Sequence, residues 1–442
     1  MDEAGREDVA QRVLGLAGGA CEAIVVDSDV GLTRFTHNAI HQNLAERDTS
    51  VRLRTIVDGR TGVAATNDLS EAGLRTVVTR AQASAGLAPR NPNAPALAEN
   101  PRVAAPPGAF DATLAAVTPE QRAEIAADVF RVADAGGVWA AGYVTTERSG
   151  ITLANSRGTL SSYDATTCGL NVKVNGADAT GYAEFFGRAL AGLDGAAVAT
   201  VAVDKARAGA APQPVEAGAW TVILEPPAFG ELASYLLDHF SAQTYDEGSS
   251  FLSDGLERRY AGERVTLGDD FAHPLHAGMP FDYEGVPTRR LPLLEGGTAK
   301  NVVTDATWSK RLALPDTGHA EPAPSAAGPQ ARHVVVSAGE QSREALIAGT
   351  KRGLLISRFW YIRPVDRRRT IVTGMTRDGT FLIEDGKLGH GVRNMRFNQS
   401  ILEALARAEF ADTQALTAGY SYSIVVPAVK MEGFHFTSVA DF

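Results

Sequence analysis

Ala211-Pro-Gln-Pro214 interrupts the chain close to its midpoint. Prolines at alternate positions remove backbone donors and push the residue before each out of the helical region, so neither a helix nor a central strand crosses this point. A chain of 442 residues is also too long for one ordinary domain. The break therefore predicts two folding units, residues 1–210 and 211–442. Apolar residues at 44% and charged residues at 21% supply a core for each and exclude global disorder.

The first half alternates helix and strand signals. Residues 7–17 carry Val9, Val13, Leu14 and Leu16 at helical spacing and stop at Gly18-Gly19. Residues 23–27 form a short apolar run that reads as a strand. Residues 51–57 and 60–66 flank Asp58-Gly59, a pair that favours tight hairpin turns. Asp68 with Glu71 predicts a capping box that opens a helix through residue 85. Residues 89–107 shift to Pro, Ala and Asn and read as a connection. Thr118-Pro119-Glu120-Gln121 has the cap, the first-turn proline and the reciprocal partner of a helix running to Gly136-Gly137. Residues 138–191 are strand-like, and 194–208 helical again. Beyond the break, residues 220–224 predict a buried strand. Arg377-Asp-Gly379 and Glu384-Asp-Gly386 are hairpin signals, Glu295-Gly-Gly-Thr298 reads as a turn, and residues 315–331 form a Pro/Ala loop. The expectation is an α+β protein, with an N-terminal mixed α/β domain and a β-rich C-terminal one.

Charge and cysteine content restrict function. There are 42 basic and 52 acidic side chains, a formal net charge of −10, which opposes extensive phosphate contact and predicts no direct nucleic-acid binding. Cys21 and Cys168 are too few for a disulfide framework or a four-cysteine zinc site. The acidic N-terminus has no apolar core of a signal peptide, and no apolar run reaches the roughly 18–20 residues that span a bilayer. The expected location is the cytoplasm, with no membrane partner.

The most informative segment runs from Val222 to Phe240: a strand ending at Pro226-Pro227, then a helix from about Phe229. At roughly 100° per residue, Leu232, Leu236, Leu237 and Phe240 share one face, while Glu231, Ser234, Tyr235, Asp238 and His239 share the other. Five polar groups on one face suit a pocket wall or a solvated or interface face.

Four blocks, in this order, carry a family resemblance: Arg34-Phe-Thr-His-Asn-Ala-Ile-His-Gln42, Leu346-Ile-Ala-Gly-Thr-Lys-Arg-Gly-Leu-Leu355, Thr376-Arg-Asp-Gly-Thr-Phe-Leu-Ile-Glu-Asp-Gly386 and Val392-Arg-Asn-Met-Arg-Phe-Asn398. Over nearly its full length the chain resembles the TldD/TldE family, and specifically its TldE (PmbA) branch. The resemblance implies a two-domain TldD/PmbA-like architecture. It also implies a heterodimeric zinc metallopeptidase acting on peptides and unfolded segments, such as precursor peptides. In TldD a His-Glu-x-x-x-His motif and a late cysteine hold the metal, with the glutamate as general base. Aligned on the strand and the Pro-x-x-Gly region, Ser234 stands at the first histidine, Tyr235 at the glutamate and Asp238 at the glycine that lets the helix bend. His239 remains at the second histidine. Both cysteines lie before residue 170. These degenerate positions imply no catalytic and no metal-binding residue in this chain. They imply a non-catalytic subunit whose partner is a TldD-like zinc peptidase, with the zinc in that partner.

Other clusters have plainer readings. His37 and His41 sit in strand or turn sequence without an intervening base. His273 and His276 bracket Pro274 in a loop that could line a cavity. Arg363, Arg367, Arg368 and Arg369 suit a surface or interface patch. Two rival functions follow. One is a self-sufficient hydrolase using His239 with Asp238 or Glu231, which no G-x-S-x-G elbow supports. The other is a regulatory binding protein with an indirect effect on DNA topology, suggested by the family's "modulator of DNA gyrase" label.

Overall fold

Alternation of inward and outward side chains organises the first half of the protein, whose computed structural model describes residues 1–94, 96–100, 102–419 and 422–440. Helix α1 (Glu3–Ala17) is capped by Asp2 and stops at Gly18 with φ 59°. Strand β1 (Ala20–Thr36) turns Cys21, Ala23 and Val25 toward the helices and Ile24 toward the opposite face. It is much longer than the apolar run at 23–27, because its second half is polar and only partly covered. Strands β2 (Ala39–Val57) and β3 (Arg60–Thr66) join through Asp58 and Gly59, both at positive φ, as expected.

Helix α2 (Glu71–Leu87) differs from expectation at its start. Ser70 is the cap, accepting from Gly73 N–H, while Asp68 is engaged one step earlier by Ser70 N–H. After a short turn, α3 (Ala112–Ala115), helix α4 (Pro119–Ala135) forms the Thr118–Gln121 capping box. Strands β4 (Trp139–Asn155), β5 (Leu160–Asn175) and β6 (Thr180–Gly187) precede α5 (Gly195–Ala208), capped by Asp194. The result is a six-stranded antiparallel sheet, β3-β2-β1-β4-β5-β6, with the long helices on one face.

The second half begins with β7 (Gly218–Leu224) and helix α6 (Pro226–Ser234). The strands that follow are β8 (Leu267–Asp269), β9 (Leu291–Glu295), β10 (Thr298–Ala299), β11 (Val334–Val336), β12 (Arg352–Asp366) and β13 (Ile371–Glu384). Then come β14 (Lys387–Gly391), β15 (Met395–Ser400), β16 (Glu409–Ala418) and β17 (Ser423–Val439). Together with β7 they make an 11-stranded sheet. Strand β7 pairs in parallel with β12 and antiparallel with β17, so the path β17-β15-β13-β12-β7 closes on itself. Phe359, Phe397, Phe434 and Phe436 pack against one another within this core.

The two Asp-Gly signals part company. Asp385-Gly386 makes the β13–β14 hairpin, but Asp378 (φ 56°) and Gly379 (φ 128°) sit inside β13, where the register against β12 slips. The reason is electrostatic: the Asp378 carboxylate is 2% exposed, accepts from Thr180 Oγ1 at 2.8 Å, and pairs with Lys173 at 3.2 Å and Arg358 at 3.5 Å. A bulge that aims a carboxylate inward replaces a turn.

The halves are also joined elsewhere. Buried Arg54 reaches Glu22 of its own sheet at 3.1 Å and Glu284 of the second half at 2.9 Å. Burial and the neighbouring Glu284 hold Glu22 up at about 7 despite Arg54. Ile151, Leu153 and Tyr163 on the sheet's other face pack on Met279 and Phe281. Among the described residues no helix is long and apolar enough to cross a membrane.

Candidate functional site

The strand-to-helix corner at residues 224–240 is built differently from one continuous helix. Pro226 and Pro227 do not end the strand region and wait for a helix; they are the first helical residues themselves, where a missing N–H costs nothing. Glu225 precedes them without capping. Its buried carboxylate instead takes Lys205 and Arg343, each at 2.6 Å, and so pins the corner to α5 and to the segment before β12. Helix α6 lies hard against β16: a Cβ at Gly230 would stand 2.0 Å from Thr417 Oγ1.

The α-helix stops at Ser234, and the chain continues as a 3-10 turn, Leu237–Phe240. Leu232, Leu236, Leu237 and Phe240 are all buried, as expected. The five polar residues, however, divide. Ser234, Tyr235, Asp238 and His239 line one cavity of about 400 Å³, while Glu231 faces another, of about 220 Å³.

In the larger cavity the polar groups are tied to the chain. Ser234 Oγ donates to Glu231 O at 2.7 Å, and Tyr235 OH donates to Ile362 O at 2.8 Å. Asp238 is ion-paired with Arg367. His239 is 4% exposed; its Nδ1 accepts from Phe251 N–H at 3.4 Å, and its ring lies 5.2 Å from that of Phe251. Burial, with Arg367 adding to it, holds the imidazole down at about 4, so it is neutral at pH 7. The opposite wall comes from the Pro/Ala loop and from β17's approach. Glu321 pairs with Arg332 at 2.6 Å, and burial together with Glu321 pushes the Tyr422 hydroxyl up to about 12.

These residues do not fit a zinc ion. Ser234 and Tyr235 offer only hydroxyls that donate to backbone carbonyls, the Asp238 carboxylate is paired with Arg367, and one ring nitrogen of His239 is already an acceptor. Among the described residues no group of three or more His, Cys, Asp and Glu could hold a metal ion. Cys21 and Cys168 are buried free thiols in the first half.

The smaller cavity was not legible as a unit. Its floor is a cross-strand row, Tyr143, Asn171 and Glu184 on β4, β5 and β6, flanked by Tyr182 and Phe186. Its roof is Pro227 and Glu231 of α6, with Arg358 of β12. Asn171 Nδ2 donates to Tyr182 OH at 2.5 Å, and Tyr182 OH donates to Glu184 Oε2. Burial holds Glu231 up at about 7, with Arg358 opposing and Glu184 reinforcing the shift. The one available signal was the alternation Tyr182, Glu184, Phe186 on a single strand face.

Other singled-out residues fall elsewhere. His37 is in the β1–β2 turn at φ 50° and stacks on Trp139 at 4.1 Å, while His41 is exposed on β2. His273 and His276 have ring centroids 6.5 Å apart, and His276 is buried, its Nε2 3.0 Å from Val334 O. Sequence reading did not join His276 to buried Asp269, which faces His319 at 3.5 Å and His333 at 3.6 Å. The arginines are dispersed by pairing: Arg363 covers the Tyr361 ring, Arg367 takes Asp238 and Arg368 takes Asp254.

Comparison with known proteins bears on this geometry. The sequence profile of the PmbA/TldA metallopeptidase C-terminal domain matches residues 217–438, and that of PmbA/TldA metallopeptidase domain 1 matches residues 21–85. A metalloprotease of Methanothermobacter thermautotrophicus is 24% identical over 206 residues, 44% of this chain and 43% of that protein. An uncharacterized protein of Methanocaldococcus jannaschii is 31% identical over 102 residues, 22% of this chain and 24% of that one. The match thus spans less than half the length of either relative. The crystal structure of TldE from Thermococcus kodakarensis superposes with a TM-score of 0.88 at 22% identity, covering 98% of this chain and 99% of that one. A Thermotoga maritima protein described as a candidate modulator of a DNA gyrase gives 0.86 at 16%, covering 98% and 100%. At these identities the structures show the fold.

Proposed function

This chain belongs to the PmbA/TldA metallopeptidase family, the TldD/TldE family, and from that premise we propose that it is a non-catalytic TldE-like subunit. It pairs with a TldD-like zinc peptidase in the cytoplasm, and the complex cleaves peptides or unfolded segments, precursor peptides among them. The boundary between its two parts falls at residues 210/211.

One observation carries the reading: the strand-to-helix corner is intact while its donor set is spent. Ser234, Tyr235, Asp238 and His239 line a cavity, yet they are engaged by Glu231 O, Ile362 O, Arg367 and Phe251 N–H. Such a cavity can shape a chamber wall and cannot activate water. His239 and Glu231 line different cavities, which weighs against their acting together as an acid–base pair. Related chains of a pseudo-symmetric dimer use equivalent surfaces, and a persistent interface of this kind buries on the order of 2,000 Å² or more.

Co-expression with the cognate TldD-like chain tests the proposal. The expected result is a co-eluting complex that cleaves peptides neither chain cleaves alone, with no stoichiometric zinc in this subunit by metal analysis. Full peptidase activity of the TldD-like chain by itself would sink the proposal.

A further inference from the structure

The cavity between β6 and α6 is where the chain leaves chemistry uncommitted. Glu184 Oε2 is held by Tyr182 OH, but Glu184 Oε1 is buried with no hydrogen-bond partner among the described residues. Burying a carboxylate oxygen in this way is costly unless something donates to it. Glu231 faces the same space from α6, half-buried, and among the described residues no side chain donates to its carboxylate. The one cation on the wall among the described residues, Arg358, lies over the Tyr182 ring at 4.3 Å and is ion-paired with Asp378 at 3.5 Å. Two carboxylates from opposite halves of the molecule therefore share a space of about 220 Å³ with Tyr143 and Phe186 on its walls.

We propose that this cavity is a binding subsite for a primary ammonium group, its N–H donors directed to Glu184 Oε1 and the Glu231 carboxylate. The donor geometry selects the ligand. A guanidinium prefers to bond both oxygens of one carboxylate, and Tyr182 already occupies one oxygen of Glu184. A hard divalent ion wants about six or more oxygen ligands, which the aromatic walls do not offer. An ammonium is a compact charge whose three N–H donors can be met by Glu184 Oε1 and the Glu231 carboxylate, and it is also attracted to aromatic faces. Two sources carry this group in a peptide, the amino terminus and a lysine side chain. That the bearer is a peptide rests on the function proposed above.

Protonation supports the assignment. Burial raises Glu231 to about 7 and also raises Glu184, with Arg358 opposing both shifts, so an ammonium bound between them would favour the charged carboxylates and release protons from Glu231. The charged and titratable neighbours are Tyr182 on β6, Tyr143 on β4, Lys205 on α5, and Arg358 and Arg363 on β12.

The test uses the full chain alone and isothermal titration with four alanine-rich pentapeptides. One has a free amino terminus, one is acetylated with a single lysine, one has both groups, and one is acetylated without lysine. At least one amine-bearing peptide should bind about tenfold or more tighter than the neutral peptide. Heats in two buffers of different ionisation enthalpy should show proton release. Glu184→Gln and Glu231→Gln should each remove the preference while thermal melting shows folded protein. Binding through the free terminus, the lysine or both identifies the source. Equal binding of the neutral peptide, unchanged selectivity in both variants, or no binding of any amine overturns the subsite. Because the readout is binding by one chain, this failure is distinct from failure to form the heterodimer.

Discussion

Two cavities open along one seam between α6 and β12, and they have opposite characters. At the C-terminal end of α6, Ser234, Tyr235, Asp238 and His239 satisfy one another's surroundings through Glu231 O, Ile362 O, Arg367 and Phe251. A turn earlier, Glu184 and Glu231 face space with an acceptor oxygen left over. A cavity lined with polar residues need not hold groups free to meet a ligand. Polar side chains turned back onto the backbone maintain shape, whereas unsatisfied ones beside them are those able to meet a ligand.

The largest effect should come from the aromatic core that lies behind His239 and the first cavity. Phe240 is fully buried, edge-on to Phe251. Phe240→Ala should lower stability by about 3–5 kcal/mol in urea titration. Amine binding by the fraction that remains folded should be unchanged. Loss of amine binding in folded protein would mean the cavities are one site.

A smaller effect should appear with opposite sign in the two cavities as pH changes. His239 is held down at about 4 from an ordinary 6.5, so the unfolded chain binds more protons between those values. Its contribution to stability therefore falls as pH drops through that window, and His239→Asn should abolish the dependence. Glu231 is held up at about 7 from 4.5, so the folded chain binds more protons. Its contribution is present at low pH and lost as pH rises through 7. Glu231→Gln should accordingly be more stable than wild type at pH 8 and equal to it near pH 4. Urea midpoints at pH 4, 6 and 8 read both; slopes of the same sign would contradict the contrast.

The smallest expected effect is none. The double variant S234H, Y235E restores two motif side chains, but Ser234 ends the α-helix and His239 lies in the 3-10 turn beyond it. Metal analysis and a chelator-controlled peptidase assay should find neither zinc nor hydrolysis. Robust zinc-dependent cleavage would show the first cavity to be a silenced active site and not a structural one.

Much of the fold was legible where the signal was local. Thr118 and Gln121 cap α4 because their partners lie within one turn, and Asp58-Gly59 turns because both residues accept positive φ. The failures are equally physical. Asp378-Gly379 has the same local preference, but distant Lys173, Thr180 and Arg358 draw its carboxylate into a bulge. Leu232 to Phe240 keep their apolar pattern through a change from α to 3-10 winding, so burial was foreseeable while the split of the polar face was not. The ammonium cavity joins a strand face at 182–186 to a helix at 231, a juxtaposition that only the docking of the two halves creates.

Within the second half, β7 is made first and pairs with both β12 and β17, strands that emerge much later in synthesis. Val222 lies opposite Met431 and Trp220 opposite Phe434, contacts made across roughly two hundred residues of chain. On the ribosome the first sheet has all its strands early, whereas the ring of the second stays open until β17 emerges. Through that interval β7 exposes an unpaired edge bearing Trp220, Val222 and Leu224, all buried in the finished fold, and this is the stretch of synthesis at which chaperones have the most to protect.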